Sequence, residues 1–280
     1  MRLTRWLKGS PPLVYYTIDY IPNRFGQSLL NRFYHWLDRT GVAASSWTWN
    51  LSTRMAEARA KRWETHSLDF RQITVPMGTH ELKNQKAKGK RQKNGIIFMG
   101  HLRKGQGVET LLEATAIAIK QIPDLTLTIV GGGELLGPLK DQAKSLGINQ
   151  HVTFTGFIAS NDEMRQHLLT ATLAIALYEN TPDNYTRYTD PGKPKEYLAA
   201  GLPVLISDVP AIARQIEAAG AGLVVDDDPT ALAAAMTQLL KDPHQLATTQ
   251  TAALKLSKTF HWDAIYDAAF RQMDHQLNVR

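Results

Sequence analysis

Continuous apolar runs that alternate with helical segments constrain the fold of this chain more than any other feature. Five segments have the length and β-branched character of buried strands: GIIFMG (95–100), LTLTIVG (125–131), HVTFTG (151–156), LAIALY (173–178) and PVLIS (203–207). Each is followed by a segment of helical periodicity, and the alternation continues through Leu240. Strands joined in this way form a parallel sheet covered on both faces, so we predict an α/β fold with a doubly wound domain over residues 95–258.

The residues before this domain predict a second, smaller sheet. Strands are predicted at 13–21, 43–51 and 71–76, and Ser52 is placed to cap a helix over residues 53–63. A helical pattern between the first two strands carries apolar residues at Leu29, Leu30, Phe33, Trp36 and Leu37. Because a mean sheet has about five to six strands, we predict an incomplete domain over 1–80. The polar, basic stretch after it predicts an exposed linker over 81–94, and the final segment has the pattern of an amphipathic closing helix over 259–280.

Charge and composition exclude several classes of protein. The chain has no Cys, which excludes disulfides and thiolate metal sites and is compatible with a reducing cytoplasm. Its net charge of +6 suits anionic partners, including phosphorylated small molecules and membrane surfaces. The basic stretch Lys83 to Lys93 has no interleaved aromatic residues, which argues against nucleic acid. The apolar run within the first residues, MRLTRWLKGSPP, is too short for a signal peptide or a membrane span. A helix lying on a membrane surface and a frayed terminus both fit this segment.

One predicted helix start has the properties of an anion site. In TDPGKPKEYLAAGLPV, Asp190 is placed as the N-cap and Pro191 at the first helical position, with Gly192 and Lys193 beside them. Free N–H groups, the helix dipole and the Lys193 ammonium favour a diphosphate. Glu196 lies one turn further and is suited to sugar or ribose hydroxyls, although an ion pair with Lys193 on a solvated face also fits this spacing.

The segment after the strand at 95–100 is a second candidate for phosphate binding. In GHLRKGQG, His101, Arg103 and Lys104 lie between a strand and a helix. It is neither a P-loop, because Gln106 stands where that motif has Lys, nor a dinucleotide fingerprint, because the third glycine is absent. Gly131-Gly132-Gly133 fits a ligand-approach loop or a tight strand-to-helix turn.

The order of these motifs resembles family 4 glycosyltransferases of the GT-B fold, over most of the chain. GHLRKGQG, IVGGG, FTGF and EYLAAGLPV follow one another as in the C-terminal domain of that family, while TIDYIP and TVPMGTH are similar to segments of its N-terminal domain. The resemblance therefore implies two Rossmann-like domains, of which the first lacks its opening half.

The resemblance also implies an activity and its residues. The expected reaction transfers a sugar from a nucleotide diphosphate donor to an acceptor with retention, and it needs no metal or cofactor. Lys193 is expected to stabilise the departing diphosphate, Glu196 to bind the ribose, and the backbone near Phe157 and Ile158 to face the base. The other implied donor-site residues are Gly100, His101, Arg103, Lys104, Gln106, Tyr188, Thr189, Asp190, Pro191 and Gly192. The acceptor, whether glycan, lipid or small molecule, is not indicated.

The chain departs from the family pattern at four positions. His101 replaces an Arg, Gln106 a Lys, Ile18 a His, and Tyr188 the first Glu of an E-x7-E pair. Arg103 and Lys104 are candidates to compensate for the first two, and Glu179 or Asp190 for the last. Three hypotheses follow: an active transferase, alone or completed by a partner chain; a nucleotide-sugar-binding remnant; and an interaction protein that retains only the fold.

Overall fold

The computed structural model describes residues 12–63, 72–81, 89, 91–181 and 184–278, which separate into two compact units. Unit 1 comprises Met1–Met77, Tyr185–Asp190 and Trp262–Arg280, and unit 2 comprises Gly78–Asn184 and Pro191–His261. The basic start and most of the predicted linker lie outside the described residues. Among the described residues, no helix has the length and apolarity needed to cross a bilayer.

Unit 1 is built on a three-stranded parallel sheet with the order β1-β2-β3. Its elements are β1 Val14–Thr17, α1 Leu29–Ala44, β2 Trp47–Asn50, α2 Thr53–Trp63, β3 Gln72–Thr74 and α10 Trp262–Asn278. Ser52 Oγ accepts a hydrogen bond from the Met55 N–H at 3.1 Å, which confirms the predicted cap of α2.

Two boundaries in unit 1 differ from the sequence prediction. The second strand begins at Trp47, not at residue 43, because α1 continues to Ala44 and ends where the Ser45 N–H bonds to the Gly41 carbonyl. The first strand ends at Thr17, and the Asp19 carbonyl beyond it accepts a hydrogen bond from the Tyr34 hydroxyl instead of extending the ladder.

Helix α10 packs on the sheet of unit 1. Ile265, Ala269 and Met273 are buried against Trp47 and Trp49. Phe270 lies on the same helix but is 52% exposed, and its ring meets the Trp49 ring edge-on at 5.8 Å between centroids.

Unit 2 is a doubly wound domain with six parallel strands in the order β6-β5-β4-β7-β8-β9. The strands are β4 Gly95–Met99, β5 Thr126–Val130, β6 Val152–Gly156, β7 Leu173–Ala176, β8 Val204–Ser207 and β9 Gly222–Val225. The helices are α3 Val108–Ala118, α4 Leu136–Ser145, α5 Asn161–Thr170, α6 Gly192–Ala199, α7 Ile212–Ala218, α8 Pro229–Lys241 and α9 Pro243–Ser257.

Both faces of this second sheet are covered. One apolar cluster joins the sheet to α3, α4 and α8, and another joins it to α5, α6, α7 and α9. The strands alternate between the clusters, with Ile96 and Phe98 in the first and Ile97 in the second. The loops at the carboxyl ends of β4, β5 and β6 therefore meet at one edge, which is where such sheets bind ligands.

Candidate functional site

The loop after β4 is held in place by the glycines after β5. A Cβ on Gly131 would lie 1.9 Å from the Gly100 carbonyl oxygen, and one on Gly133 would lie 2.3 Å from that of Leu102. The Leu102 N–H also bonds to the Gly132 carbonyl at 2.9 Å. Both Gly131 and Gly133 have positive φ, at 144° and 154°. The three glycines thus form a tight turn that brings two backbones together, as the second sequence interpretation predicted.

The Lys193 ammonium lies beside this loop. Its Nζ donates to Gln106 Oε1 at 3.2 Å and lies 4.4 Å from the centroid of the Phe98 ring and 4.7 Å from that of Tyr178. Burial and the nearby charge of Arg103 lower the pKa of Lys193 to about 7. An anion in this position would restore the charge of the ammonium and gain a strong hydrogen bond from it.

Helix α6 presents its start to the same region. The helix begins at Gly192, where an added Cβ would meet no atom within 4 Å, so the backbone is open to a ligand. Tyr197 anchors the helix to β4, since its buried hydroxyl accepts a hydrogen bond from the Met99 N–H at 2.7 Å. Burial raises the pKa of Tyr197, which keeps its hydroxyl neutral.

The predicted capping of α6 is wrong. Pro191 occupies the N-cap position with an extended backbone and offers no side-chain cap. Asp190 does not cap the helix, because its carboxylate accepts a hydrogen bond from the Met77 N–H within unit 1, at 2.6 Å. The first N–H groups of α6 are therefore without a side-chain cap, which is the condition for anion binding at a helix start.

Glu196 and Lys193 bond to different groups. Glu196 Oε1 accepts a hydrogen bond from the buried Thr79 hydroxyl at 2.6 Å. Its Oε2 is buried and has no hydrogen-bond partner within the described part of the chain. An unpaired buried carboxylate oxygen is costly, so this atom is suited to accept a hydrogen bond from a ligand.

Three basic side chains occupy the loop after β4, as predicted. His101 is largely exposed, and its Nε2 lies 3.7 Å from Glu134 Oε2. Arg103 is half-buried and acts electrostatically on Lys193. Lys104 is exposed and lines a cavity of about 300 Å³. The remaining lining residues are Gly105, Gly107, Glu109, Thr110, Glu179 and Asp227.

Phe157 and Ile158 follow directly after β6. The Phe157 side chain is 82% exposed, whereas Ile158 packs on the second apolar cluster. Phe157 also borders the glycine turn, because a Cβ on Gly132 would lie 3.4 Å from the Phe157 Cβ. An exposed aromatic ring thus stands at the same sheet edge as the loop after β4.

The remaining predicted residues belong to unit 1. Tyr188 and Thr189 lie in a turn that follows a short 3-10 helix, Tyr185–Arg187, and the Tyr188 carbonyl accepts a hydrogen bond from Ser52 Oγ at 2.5 Å. Ile18 is 54% exposed, and the Asp19 carboxylate pairs with Arg24. Unit 2 therefore brings together Gly100, His101, Arg103, Lys104, Gln106, Phe157, Ile158, Gly192, Lys193 and Glu196, but not the residues at 188–190.

Sequence reasoning missed two supporting residues. Thr79 orients the Glu196 carboxylate, and Tyr197 ties α6 to β4. A Thr between the third strand and the predicted linker carries no distinguishing signal, and Tyr197 is indistinguishable by sequence from an ordinary core aromatic. Sequence also gives no sign that Gln106 is the acceptor for Lys193, because the comparison with the family pattern shows only the loss of a cation at this position.

Comparison with protein families identifies one match over more than half of the chain. The family model described as Glycosyl transferases group 1 matches residues 80–255. A GDP-mannose-dependent alpha-(1-6)-phosphatidylinositol monomannoside mannosyltransferase of Mycobacterium tuberculosis is 26% identical over 200 residues, which are 68% of this chain and 49% of that protein. Spore coat protein SA of Bacillus subtilis is 25% identical over 63% of this chain and 48% of its own length. The chain thus spans about half the length of these relatives.

Solved structures share the fold at lower identity. Anabaena Alr3699/HepE in complex with UDP has a TM-score of 0.73 and 19% identity, covering 94% of this chain and 72% of that one. WaaG, a glycosyltransferase involved in lipopolysaccharide biosynthesis, has a TM-score of 0.71 and 18% identity, covering 91% and 73%. These likenesses, together with the parallel sheets of the two units, confirm the predicted GT-B-like α/β fold class.

Proposed function

Because the chain belongs to the group 1 glycosyl transferases, we propose that it transfers a sugar from a UDP- or GDP-type donor to an acceptor, with retention at the anomeric carbon. The observation that carries this proposal is the Lys193 ammonium beside the uncapped start of α6 and the Gly100 loop. The donor is a substrate, and the reaction as proposed needs no metal or cofactor.

Lys193 and the first N–H groups of α6 act on the diphosphate. Negative charge builds on the departing diphosphate as the bond to the sugar breaks, and preorganised positive charge lowers the energy of that state. Gln106 holds the ammonium in place through its amide oxygen. Where the family pattern has a Lys, this chain therefore has Gln106, an uncharged residue that positions the Lys193 ammonium.

Glu196 and Phe157 bind the nucleoside part of the donor. The unpaired Glu196 Oε2 accepts a hydrogen bond from a ribose hydroxyl, while Thr79 holds the other oxygen. The exposed Phe157 ring offers a stacking surface for the base, next to the backbone of Ile158. Tyr188, Thr189 and Asp190 were predicted to contact the donor through resemblance alone, and this remains part of the proposal.

Glu179 is the candidate for binding the donor sugar. It lines the cavity with Lys104 and Asp227, and its Oε2 lies 3.6 Å from where a Cβ on Gly105 would stand. Carboxylates accept hydrogen bonds from sugar hydroxyls. Asp190 is the weaker candidate, because its carboxylate already bonds to the Met77 N–H.

The relatives suggest the setting of the reaction. One acts on phosphatidylinositol monomannoside and another takes part in lipopolysaccharide biosynthesis. We therefore place the proposed activity in cell-envelope glycan assembly, at the cytoplasmic side of a membrane. A partner chain that completes unit 1 is compatible with a sheet of three strands and with the coverage of about half of each curated relative.

A nucleotide-sugar-binding protein without turnover is the second candidate. It is favoured by the exposed Ile18 in place of the family His and by His101 in place of the family Arg. Both candidate functions require the same donor site. Nucleotide binding therefore tests the site, and sugar transfer distinguishes the two functions.

Calorimetric titration of the chain with UDP, GDP, ADP and their sugar conjugates tests the donor site. One nucleotide should bind saturably, and Lys193→Ala and Glu196→Gln should each weaken it about tenfold or more, since each removes a charged hydrogen-bonding group. Lys255→Ala and Glu163→Gln change exposed residues elsewhere on unit 2 and should leave binding unchanged. A folded chain that binds none of these ligands would refute the proposal.

A transfer assay then separates the two candidates. With the nucleotide sugar that binds, an active transferase should form a glycoside with an acceptor from a panel of lipids and glycans, and Lys193→Ala should abolish it. Binding without any transfer, even with added membranes, would favour the second candidate.

A further inference from the structure

Helix α1 is amphipathic in the reverse sense to an ordinary surface helix. The side of α1 that faces the protein carries Asn31, His35 and Asp38, which are all buried. The side that faces outward carries large apolar residues whose side chains are 49% to 79% exposed. We call these residues the α1 stripe: Leu29, Leu30, Phe33, Trp36 and Leu37.

The inward polar residues fix this orientation. Asn31 bonds to the loop before the helix, with Nδ2 donating to the Pro22 carbonyl at 3.2 Å and Oδ1 accepting from the Phe25 N–H at 3.2 Å. Asp38 accepts hydrogen bonds from the buried Arg59 at 2.9 and 3.0 Å. Rotating the helix to bury the stripe would leave Arg59 buried without its carboxylate, which is strongly unfavourable. The outward stripe therefore belongs to the native packing of unit 1.

The charges beside the stripe indicate the chemistry of its partner. Arg32 and Arg39 are the exposed charged residues of α1, and on a helical wheel they border the same side of the stripe. The acidic residue of the helix, Asp38, is buried. Leu, Phe and Trp on one face with arginines at the border are typical of helices that lie in the interface of an anionic membrane.

We propose that the α1 stripe docks unit 1 on an anionic lipid surface, with Phe33 and Trp36 inserted at the level of the headgroups and Arg32 and Arg39 bonded to lipid phosphates. The stacking of Phe33 on Trp36, at 5.7 Å between ring centroids, presents the two rings as one flat apolar surface. Trp is favoured at such interfaces because its ring is apolar and its N–H is polar. This proposal rests on unit 1 and does not depend on the donor site.

Co-sedimentation of the full chain with vesicles tests this proposal. The chain should bind phosphatidylcholine vesicles that contain phosphatidylglycerol and should bind pure phosphatidylcholine vesicles much less. Trp36→Gln and Phe33→Gln should each lower the partition coefficient about tenfold or more, through the loss of buried apolar area. Arg32→Gln and Arg39→Gln should each lower it about fivefold, and only for the anionic vesicles.

Matched variants keep the test independent of folding and of the donor site. Leu254→Gln replaces an exposed leucine of unit 2, 49% exposed, and should leave vesicle binding unchanged. If Trp36→Gln does not fold by circular dichroism, Leu29→Gln at a residue that is 79% exposed replaces it. Nucleotide titration on each variant shows whether the donor site is intact.

Three results would overturn the proposal. The first is a folded wild-type chain that binds neither kind of vesicle. The second is vesicle binding that persists in the stripe variants. The third is a stable dimer in analytical ultracentrifugation that dissociates on Trp36→Gln, which would assign the stripe to a second copy of the chain.

Discussion

The two units of this chain differ in what they leave on the surface. Of the twelve exposed large apolar side chains among the described residues, ten lie in unit 1 and only Phe157 and Leu254 lie in unit 2. Unit 2 has helices on both faces of six strands, while the described part of unit 1 has three strands and an outward apolar helix face. The candidate phosphate site therefore lies in unit 2, the closed unit, whose sheet is covered on both faces. The candidate docking surface lies in unit 1, the open unit, which leaves an apolar helix face exposed.

The difference extends to the interiors. Unit 2 is held by two large apolar clusters, whereas unit 1 has a polar centre around Arg59. The Arg59 guanidinium is fully buried and bonds to Asp38, Asn50 and Thr17, and it lies over the Tyr20 ring at 4.7 Å. A buried cation of this kind specifies one packing arrangement but makes that arrangement depend on each of its partners.

The largest predicted effect concerns this polar centre. Asp38→Ala should destabilise unit 1 by about 3–5 kcal/mol, because it leaves the Arg59 cation buried without its carboxylate. Thermal unfolding followed by near-ultraviolet circular dichroism should then show unit 1 unfolding well before unit 2. A single cooperative transition that shifts as a whole would contradict the separation of the two units.

A double substitution sharpens this prediction. Asp38→Leu combined with Arg59→Met should recover much of the lost stability, since a buried ion pair can be replaced by apolar groups at little cost. Arg214→Ala, at the exposed pair with Asp208 in unit 2, is the matched control and should have no measurable effect.

The second prediction concerns the tightest backbone contact in unit 2. Gly131→Ala should destabilise the unit by about 2–4 kcal/mol and weaken nucleotide binding, because its Cβ would collide with the Gly100 carbonyl at a strained φ. Gly137→Ala, where a Cβ meets no atom within 4 Å, is the control and should be neutral or slightly stabilising. Equal effects of the two substitutions, measured by urea unfolding, would contradict the role of the glycine turn.

Sequence reasoning performed differently on the two units for a physical reason. In unit 2, continuous apolar runs are typical of strands covered on both faces, so most elements and the site at their carboxyl ends were predicted. In unit 1, the period of α1 predicted a helix but not its orientation, because the inward position of Asp38 depends on Arg59, which is far along the chain. The prediction that Asp190 caps α6 was wrong for the same reason. Its carboxylate accepts a hydrogen bond from the Met77 N–H, which is also far along the chain.

The third prediction contrasts two cations that have different partners, Arg59 in unit 1 and Lys193 in unit 2. Arg59 has a carboxylate partner, whereas Lys193 has an amide oxygen and two aromatic rings, and its pKa falls from 10.5 to about 7. Between pH 7 and pH 10.5, Lys193 is protonated in the unfolded chain and neutral in the folded chain. The stability of unit 2 should therefore rise from about pH 7 towards pH 10, by at most about 1.4 kcal/mol per pH unit.

Lys193→Met should remove this dependence and raise the stability below pH 7, where the wild-type ammonium is charged. Nucleotide binding by the wild-type chain should weaken as the pH rises through 7. Binding should then be coupled to proton uptake, which is measured as a dependence of the observed binding enthalpy on the ionisation enthalpy of the buffer. Equal pH slopes in the wild type and in Lys193→Met would show that the lysine is not the titrating group.

The smallest predicted effect tests the exposed face of unit 1 directly. Leu29→Gln should change the free energy of unfolding by less than about 0.5 kcal/mol, because a side chain that is 79% exposed loses little burial on substitution. Met273→Ala, at a buried residue of the same unit, should cost about 2–5 kcal/mol in the same urea titration. A loss above about 1 kcal/mol for Leu29→Gln would mean that the stripe is already covered in the chain by itself. The contrast between an open and a closed unit would then fail, and the docking surface with it.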